Sequence, residues 1–390
     1  MHLPKDARLT LFFLLLTLVL HYIPTGFEQR LAGDSVRCLG EVISVDDSQV
    51  RSFSVVTAGI QSLSLKLLDG PFVGRTVDAH NEMLGKMELD KRFTPGDHAL
   101  VVLSLEAGEI SHAVAQDYYR LGVEAVLFGL FALLLVVFAG WTGLKALLSF
   151  VFSGYVIWKL LVPAFLRGYD PILVALALVT LLMGAIIFLV GGLTRRGLAA
   201  FLGSLLGIVA TCLLALAFAG PFRLHGAVVP FAETLLFSGY AHLDLTRIFL
   251  ASIFIACSGA VMDLAMDVAT SLEEVLAANP ETGFGRALAS GLRVGRVVVG
   301  TMTTTLLLAY SGGYITLLMV FMAQNIPMAS ILNMNLVAAE IMTTLVGSFG
   351  LVLVAPFTAL SGAFLFTSRT TFPSLAAVRV PGEPPLAKKA

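Results

Sequence analysis

The chain has 390 residues, 57% of them hydrophobic and only 13% charged, with a mean hydropathy of +0.89. Soluble domains carry about 25% charged residues, so this composition excludes a soluble globular protein and fits a multi-pass membrane protein. The net charge of −1 gives no basic excess for nucleic acid, and the three cysteines, Cys38, Cys212 and Cys257, form neither a disulfide framework nor a zinc spacing.

In chain order, Lys5 and Arg8 precede the apolar run Leu9–Leu20. This is the form of a signal peptide or signal anchor. No A-x-A cleavage site follows, which favours an uncleaved anchor over residues 1–24. Either form exports what comes next.

Residues 25–118 differ in kind. Charged residues return, and the apolar ones come in short alternating runs. Val36–Val45, Ser52–Thr57, Ser62–Leu68 and His98–Leu105 read as strands. Asp46-Asp47, Asp69-Gly70-Pro71, Pro95-Gly96-Asp97 and Ala107-Gly108 read as the turns between them. Short strands at this spacing predict a small antiparallel, OB-like β-barrel outside the membrane. It lacks a row of aromatics with basic neighbours, which again argues against nucleic acid. His80, His98 and His112 read as ordinary surface residues rather than metal ligands.

From Leu121 the sequence turns apolar, and residues 119–370 read as a helical membrane domain. The runs are Leu121–Trp141, Leu144–Leu166, Ile172–Gly192, Leu198–Gly220, Ile248–Met266, Val297–Ala323 and Leu336–Phe366. A span needs about 20 residues, so with the N-terminal run the expectation is about eight transmembrane segments. The last two are long enough to be broken, one at Gly312-Gly313 and the other at Pro356. Gly203 and Gly207, four apart, allow close helix packing. Residues 371–390 read as a short disordered cytoplasmic tail.

Lysine and arginine set the orientation. With the N-terminus inside, twelve cationic residues fall on the cytoplasmic side: Lys5, Arg8, Lys145, Arg195, Arg196, Arg286, Arg293, Arg296, Arg369, Arg379, Lys388 and Lys389. Only Arg167, Arg223 and Arg247 fall in the short outer loops. This predicts a plasma-membrane protein with both termini cytoplasmic and residues 25–118 extracytoplasmic.

Several polar residues stand where lipid would otherwise be. Asp263 and Asp267 lie four apart in GAVMDLAMDVATSLEE, on one helical face. A charge deep in a bilayer costs about 2.5–3.5 kcal/mol on insertion scales, so the pair must face water or protein. Three readings stand: a solvated cytoplasmic mouth, an ion or proton site inside the bundle, or a structural hydrogen-bonding role between helices. Further along come Thr301, Thr303, Thr304, Thr305, Tyr310, Ser311, Gln324, Asn325, Asn333, Asn335, Glu340, Thr343 and Thr344. Threonines often bond their own helix backbone. Glu340, about four residues into the last apolar run, belongs either to a solvated outer mouth or to an interior polar site. The candidate path is Asp263, Asp267, Thr301, Thr304, Thr305, Tyr310, Ser311, Gln324, Asn325 and Glu340, with the acids at its two ends about 20–25 Å apart along the membrane normal.

The blocks GAVMDLAMDVATSLEEV, GTMTTTLLLAYSGGYITLLMVFMAQN and AAEIMTTLVGSFGLVLVAPFTAL resemble the C-terminal blocks of the YibE/F-like family of bacterial membrane proteins. GEVISV, Gln61, LLDGPFVGRTVDAHNE and TPGDHALV carry the likeness into the outer domain, so it runs from about Val36 to Leu360. It implies a multi-pass membrane protein with an extracytoplasmic N-terminal domain, and it implies no chemistry.

Intramembrane acids and broken helices suit a transporter or translocator of a small solute or ion. The alternative is a non-transporting scaffold or accessory subunit that binds a partner through its outer domain. No enzyme is expected: the close carboxylates share one helix, no GxGD follows, and no GxSxG, P-loop or GxGxxG context is present. Neither a cofactor nor a metal site is expected. The expected partners are the lipid bilayer, a small ion or solute, and a second copy or another membrane protein.

Overall fold

The structure, a computed structural model, describes residues 5–27 and 35–367. The expected tail over 371–390, with Arg369 just before it, lies outside the described residues. The chain divides into two compact units, Ile23–Leu147 and Met1–Tyr22 with Leu148–Ala390.

The first unit opens with five strands: β1 (Ser35–Phe53), β2 (Val56–Leu67), β3 (Thr76–Leu84), β4 (His98–Glu106) and β5 (Glu109–Tyr118). They close into a barrel in the order β1-β2-β3-β5-β4, with β1 pairing to both β2 and β4. Period-2 alternation drives the closure, because every second residue turns inward. Val42, Leu63, Leu65, Leu67, Val101 and Leu103 thereby fill the interior with Phe93. β3 and β5 meet in parallel, registered only at His80 opposite Val114.

One expected strand is a turn. Ser52 pairs with Thr57 and Phe53 with Val56, so Ser52–Thr57 folds back on itself as the β1–β2 hairpin, with Ser54 left-handed at φ 59°.

Among the described residues six helical stretches are long and apolar enough to cross a membrane, not eight. The runs Leu121–Trp141 and Leu144–Leu166 fall in one helical stretch that bends sharply at Gly140. Leu121–Leu166 comprises α2 (Leu121–Val156), a π-helical turn at Ile157–Leu161, and α3 (Val162–Leu166). Gly140-Trp141-Thr142-Gly143 carries no charge or proline to draw the backbone out of helix, and only Gly140 departs from it (φ 54°, ψ −128°). The first helix, α1 (Lys5–Tyr22), has an apolar stretch of Ala7–Tyr22, short of the roughly 20 residues a span needs. It packs Phe13 and Leu20 against Phe152, Val156, Ala185 and Leu189.

The remaining helices are α4 (Pro171–Gly191), α5 (Arg195–Phe222), the short α6 (Ala232–Phe237), α7 (Leu245–Ala278), α8 (Phe284–Gly313), α9 (Ile315–Ala323), α10 (Met328–Asn333) and α11 (Asn335–Thr367). The break expected at Gly312-Gly313 is present: α8 ends there, and α9 restarts after Tyr314. Pro356 does not break α11, which runs through it. A proline removes a single N–H, and a packed membrane helix absorbs that loss.

Small residues set the helix contacts. A Cβ on Gly207 would lie 3.0 Å from Val354 and 3.3 Å from Val261, joining α5, α11 and α7. On α8, Gly291 meets Ala359 and Leu272, and Gly295 meets Ala355 and Val268. Gly347 of α11 meets Cys257 and Leu306. Residue numbers rise together in α7 and α11 along these contacts and fall in α5 and α8. Hence α7 and α11 run parallel, with α5 and α8 antiparallel to both. Lipid tails give apolar side chains no hydrophobic drive to associate, so close backbone approach of this kind supplies the packing energy.

Candidate functional site

This polarity sorts the charges. The C-terminus of α7 and the N-termini of α5 and α8 share one end, which gathers Arg195, Arg196, Arg286, Arg293 and Arg296. There Arg196 pairs with Glu273 of α7 at 3.5 Å. At the other end Arg247, in the first turn of α7, pairs with Asp170, the N-cap of α4. A cavity of about 240 Å³ lies beside that pair, lined by Tyr169, His242 and Asp244 among others.

The expected path residues do not converge on one point. Glu340, in the second turn of α11, borders a cavity of about 270 Å³ with Ser311, Tyr314 and Thr344. Leu307, Phe321 and Ile341 supply apolar wall. The break between α8 and α9 brings Tyr314 here, where it lines the same cavity as Glu340. One turn earlier, the Tyr310 hydroxyl is buried without a hydrogen-bond partner among the described residues. Tyr310, Ser311 and Glu340 were expected in a path. Tyr314 and Thr344 complete the cavity because the helix break and the one-turn spacing from Glu340 put them there.

Asp263 and Asp267 sit elsewhere. Their neighbours Leu264, Ala265, Val268 and Ala269 are buried, whereas both aspartates are exposed on the outer side of α7. Contacts of Val268 with Gly295 and of Leu272 with Gly291 place Asp267 level with Arg296 of α8, also exposed. Contact of Cys257 with Gly347 fixes the other spacing. Glu340 precedes Gly347 by seven residues and Asp263 follows Cys257 by six, so the two acids stand about 20 Å apart along the helix axes.

Thr301, Thr304 and Thr305 occupy intermediate levels on the exposed side of α8. Thr301 and Thr305 donate to their own helix, to the carbonyls of Val298 (2.9 Å) and Thr301 (3.4 Å). Gln324 and Asn325 form the turn between α9 and α10, with Asn325 left-handed at φ 51°, and neither lines the cavity.

The barrel holds features that sequence reading passed over. Gln61 and Asn81 are fully buried and hydrogen-bonded to each other at 3.2 Å. The Gln61 amide also donates to Asp47 (2.8 Å) and to the Phe93 carbonyl (3.0 Å). Arg92 pairs with Asp47 at 2.5 Å. Hydrogen bonds from Arg92 and Gln61 hold the Asp47 carboxyl below the usual carboxylate range. On the outer face, His80 and His112 stand with their Nε2 atoms 3.0 Å apart. Burial, then the His112 charge, lowers the His80 pKa, and Glu82 partly opposes this. Among the described residues no group of three or more His, Cys, Asp or Glu is gathered to hold a metal.

The family model described as YibE/F-like protein matches residues 127–368, more than half of the chain and the whole bundle around Glu340. The barrel, where the likeness was also expected, lies outside that match. No curated protein matches the chain, and no solved structure does.

Proposed function

The chain belongs to the YibE/F-like family, and we propose that its membrane domain is a non-enzymatic translocator of a small cation or proton. The observation that carries this reading is the cavity at the α8–α9 break, which Glu340 and Tyr314 line together with Ser311 and Thr344. A carboxylate at membrane depth is costly unless it works or is paired. A broken helix lining a cavity is the kind of place where membrane proteins bind ions. Asp263 and Asp267, about 20 Å away along the axes, mark the other mouth. Acids at both mouths favour a cation over an anion.

On this reading the arginine-rich end, together with the C-terminal end of α11, faces the cytoplasm. The partners are the bilayer and the transported ion, together with a second copy or a membrane partner protein along the exposed side of α7 and α8. No cofactor is needed.

The test is flux in proteoliposomes with an internal pH dye and an imposed potential, repeated with an alkali-cation dye. Wild-type protein should carry proton or cation current. Glu340→Gln and Asp263→Asn should each abolish it without changing yield or thermal stability, and Asp267→Asn should be milder. Flux that survives both neutral variants would replace this reading with the scaffold alternative, in which the barrel binds a partner.

A further inference from the structure

His80 lies on β3 and His112 on β5, 32 residues apart in sequence and adjacent only because the barrel closes. Each alternates with buried neighbours, His80 with Ala79 and Asn81 and His112 with Ala113, so both imidazoles point outward. Their Nε2 atoms are 3.0 Å apart, and their ring centres only 4.2 Å, with the planes tilted by 47°.

At that distance one Nε2–H donates to the other Nε2 when the tautomers differ. The ring centres are about 1 Å closer than the roughly 5.2 Å of a head-on bond, so the two nitrogens sit side by side rather than in line. With both rings protonated on Nδ1 the two lone pairs repel each other, and a cation placed between them replaces that repulsion with two bonds. Metal–imidazole bonds are about 2.0–2.1 Å, so ligands at a right angle have nitrogens about 2.9 Å apart and tetrahedral ligands about 3.4 Å. The pair falls within that interval. Glu82, two residues along the outer face of β3, acts electrostatically on His80 and adds negative charge beside it.

We propose that His80 and His112 form a binding site on the barrel for one borderline divalent transition cation, such as Zn²⁺, Ni²⁺ or Cu²⁺. Water fills the remaining coordination positions. Imidazole nitrogen favours these ions over Ca²⁺ and Mg²⁺, which prefer oxygen donors. The site also has a structural consequence. β3 and β5 form the most weakly registered seam of the barrel, with one registered pair that includes His80. A cation held by one histidine from each strand clips that seam shut.

The test uses the full chain in nanodiscs, titrated calorimetrically with NiCl₂ and separately with ZnCl₂, alongside His80→Gln and His112→Gln. Both side chains are on the barrel's outside, so the variants should fold, checked by circular dichroism. One ion should bind per chain, unaffected by excess Mg²⁺. Each variant should weaken binding at least tenfold, and Ni²⁺ should slow hydrogen exchange of β3 and β5 amides in wild type alone. Failure of wild type to bind either ion saturably, or binding retained in both variants, would overturn the proposal. Neither result touches the flux assay on Glu340.

Discussion

Gly203 of α5 sits directly against Thr358 of α11: a Cβ added at the glycine would lie 2.0 Å from the threonine Oγ1 and 2.7 Å from its Cα. The second distance matters more, because a side chain can turn away and a backbone atom cannot. Gly203→Val should therefore cost about 3 kcal/mol, the upper end of ordinary overpacking. Gly203→Ala should also destabilise, and Thr358→Ala should not fully rescue it. Gly285→Ala, where the new methyl meets nothing within 4 Å, should be neutral or slightly stabilising. Thermal unfolding in detergent measures all four, and a Gly203→Val protein as stable as wild type would refute this packing.

A second prediction concerns the barrel interior. Gln61 accepts from the Phe93 N–H at 3.0 Å and donates to its carbonyl at 3.0 Å, so one side chain satisfies both backbone groups of a fully buried residue. Gln61→Leu keeps the volume and orphans both, along with one Asn81 contact. Unpaired buried groups cost about 1–3 kcal/mol each. For a domain of this size that means a fall in Tm of about 10 °C or more. A fragment of residues 35–119 suits the measurement by circular dichroism, and a fall under about 3 °C would contradict the argument.

The pH response of that fragment follows from Asp47. Its folded pKa lies below its unfolded one, so its contribution is present above the ordinary carboxylate range and is lost as pH falls through the depressed value. Stability from this residue should hold from pH 7 to about 5 and decline below about 4. Asp47→Asn should flatten that part of the acid limb. The carboxylate is one-third exposed, so the difference should stay below about 1 kcal/mol.

Hydropathy located the helices because apolar length is an intrinsic property of a segment. It overcounted them where the two apolar runs part at residues 142–143, because the helical stretch continues past its bend at Gly140, and at α1, whose apolar length falls short. In the barrel, β1, β2 and β4 were legible from alternating large apolar residues. β3 and β5 were not: their inward positions include Ala79, Asn81, Ala113 and Ala115, which carry little hydrophobic signal. Buried Asn81 even inverts the expected pattern. The candidate site was half legible. Glu340 announces itself by being acidic in an apolar run, whereas Tyr314 joins it only because the chain breaks between α8 and α9. Gln324 and Asn325 looked equally polar and lie in a turn, where asparagine suits the left-handed backbone at 325. The His80–His112 pair had no local signature, because only barrel closure brings the two strands together.

The last prediction is the orientation of the bundle. The Arg196–Glu273 pair fixes one end and Arg247–Asp170 the other. The first end carries Arg195, Arg286, Arg293 and Arg296 as well, and the second adds Arg167 and Arg223. Short loops rich in arginine stay cytoplasmic, so Thr282, between α7 and α8, should lie inside, and Tyr169, between α3 and α4, outside. The native cysteines Cys38, Cys212 and Cys257 are all buried and should give little background. In intact cells an impermeant maleimide should label Tyr169→Cys and miss Thr282→Cys, with both labelled after lysis. Labelling of Thr282→Cys in intact cells would invert the bundle. It would put Asp263 and Asp267 at the outer mouth and Glu340 at the inner one, leaving the path intact and reversing its direction.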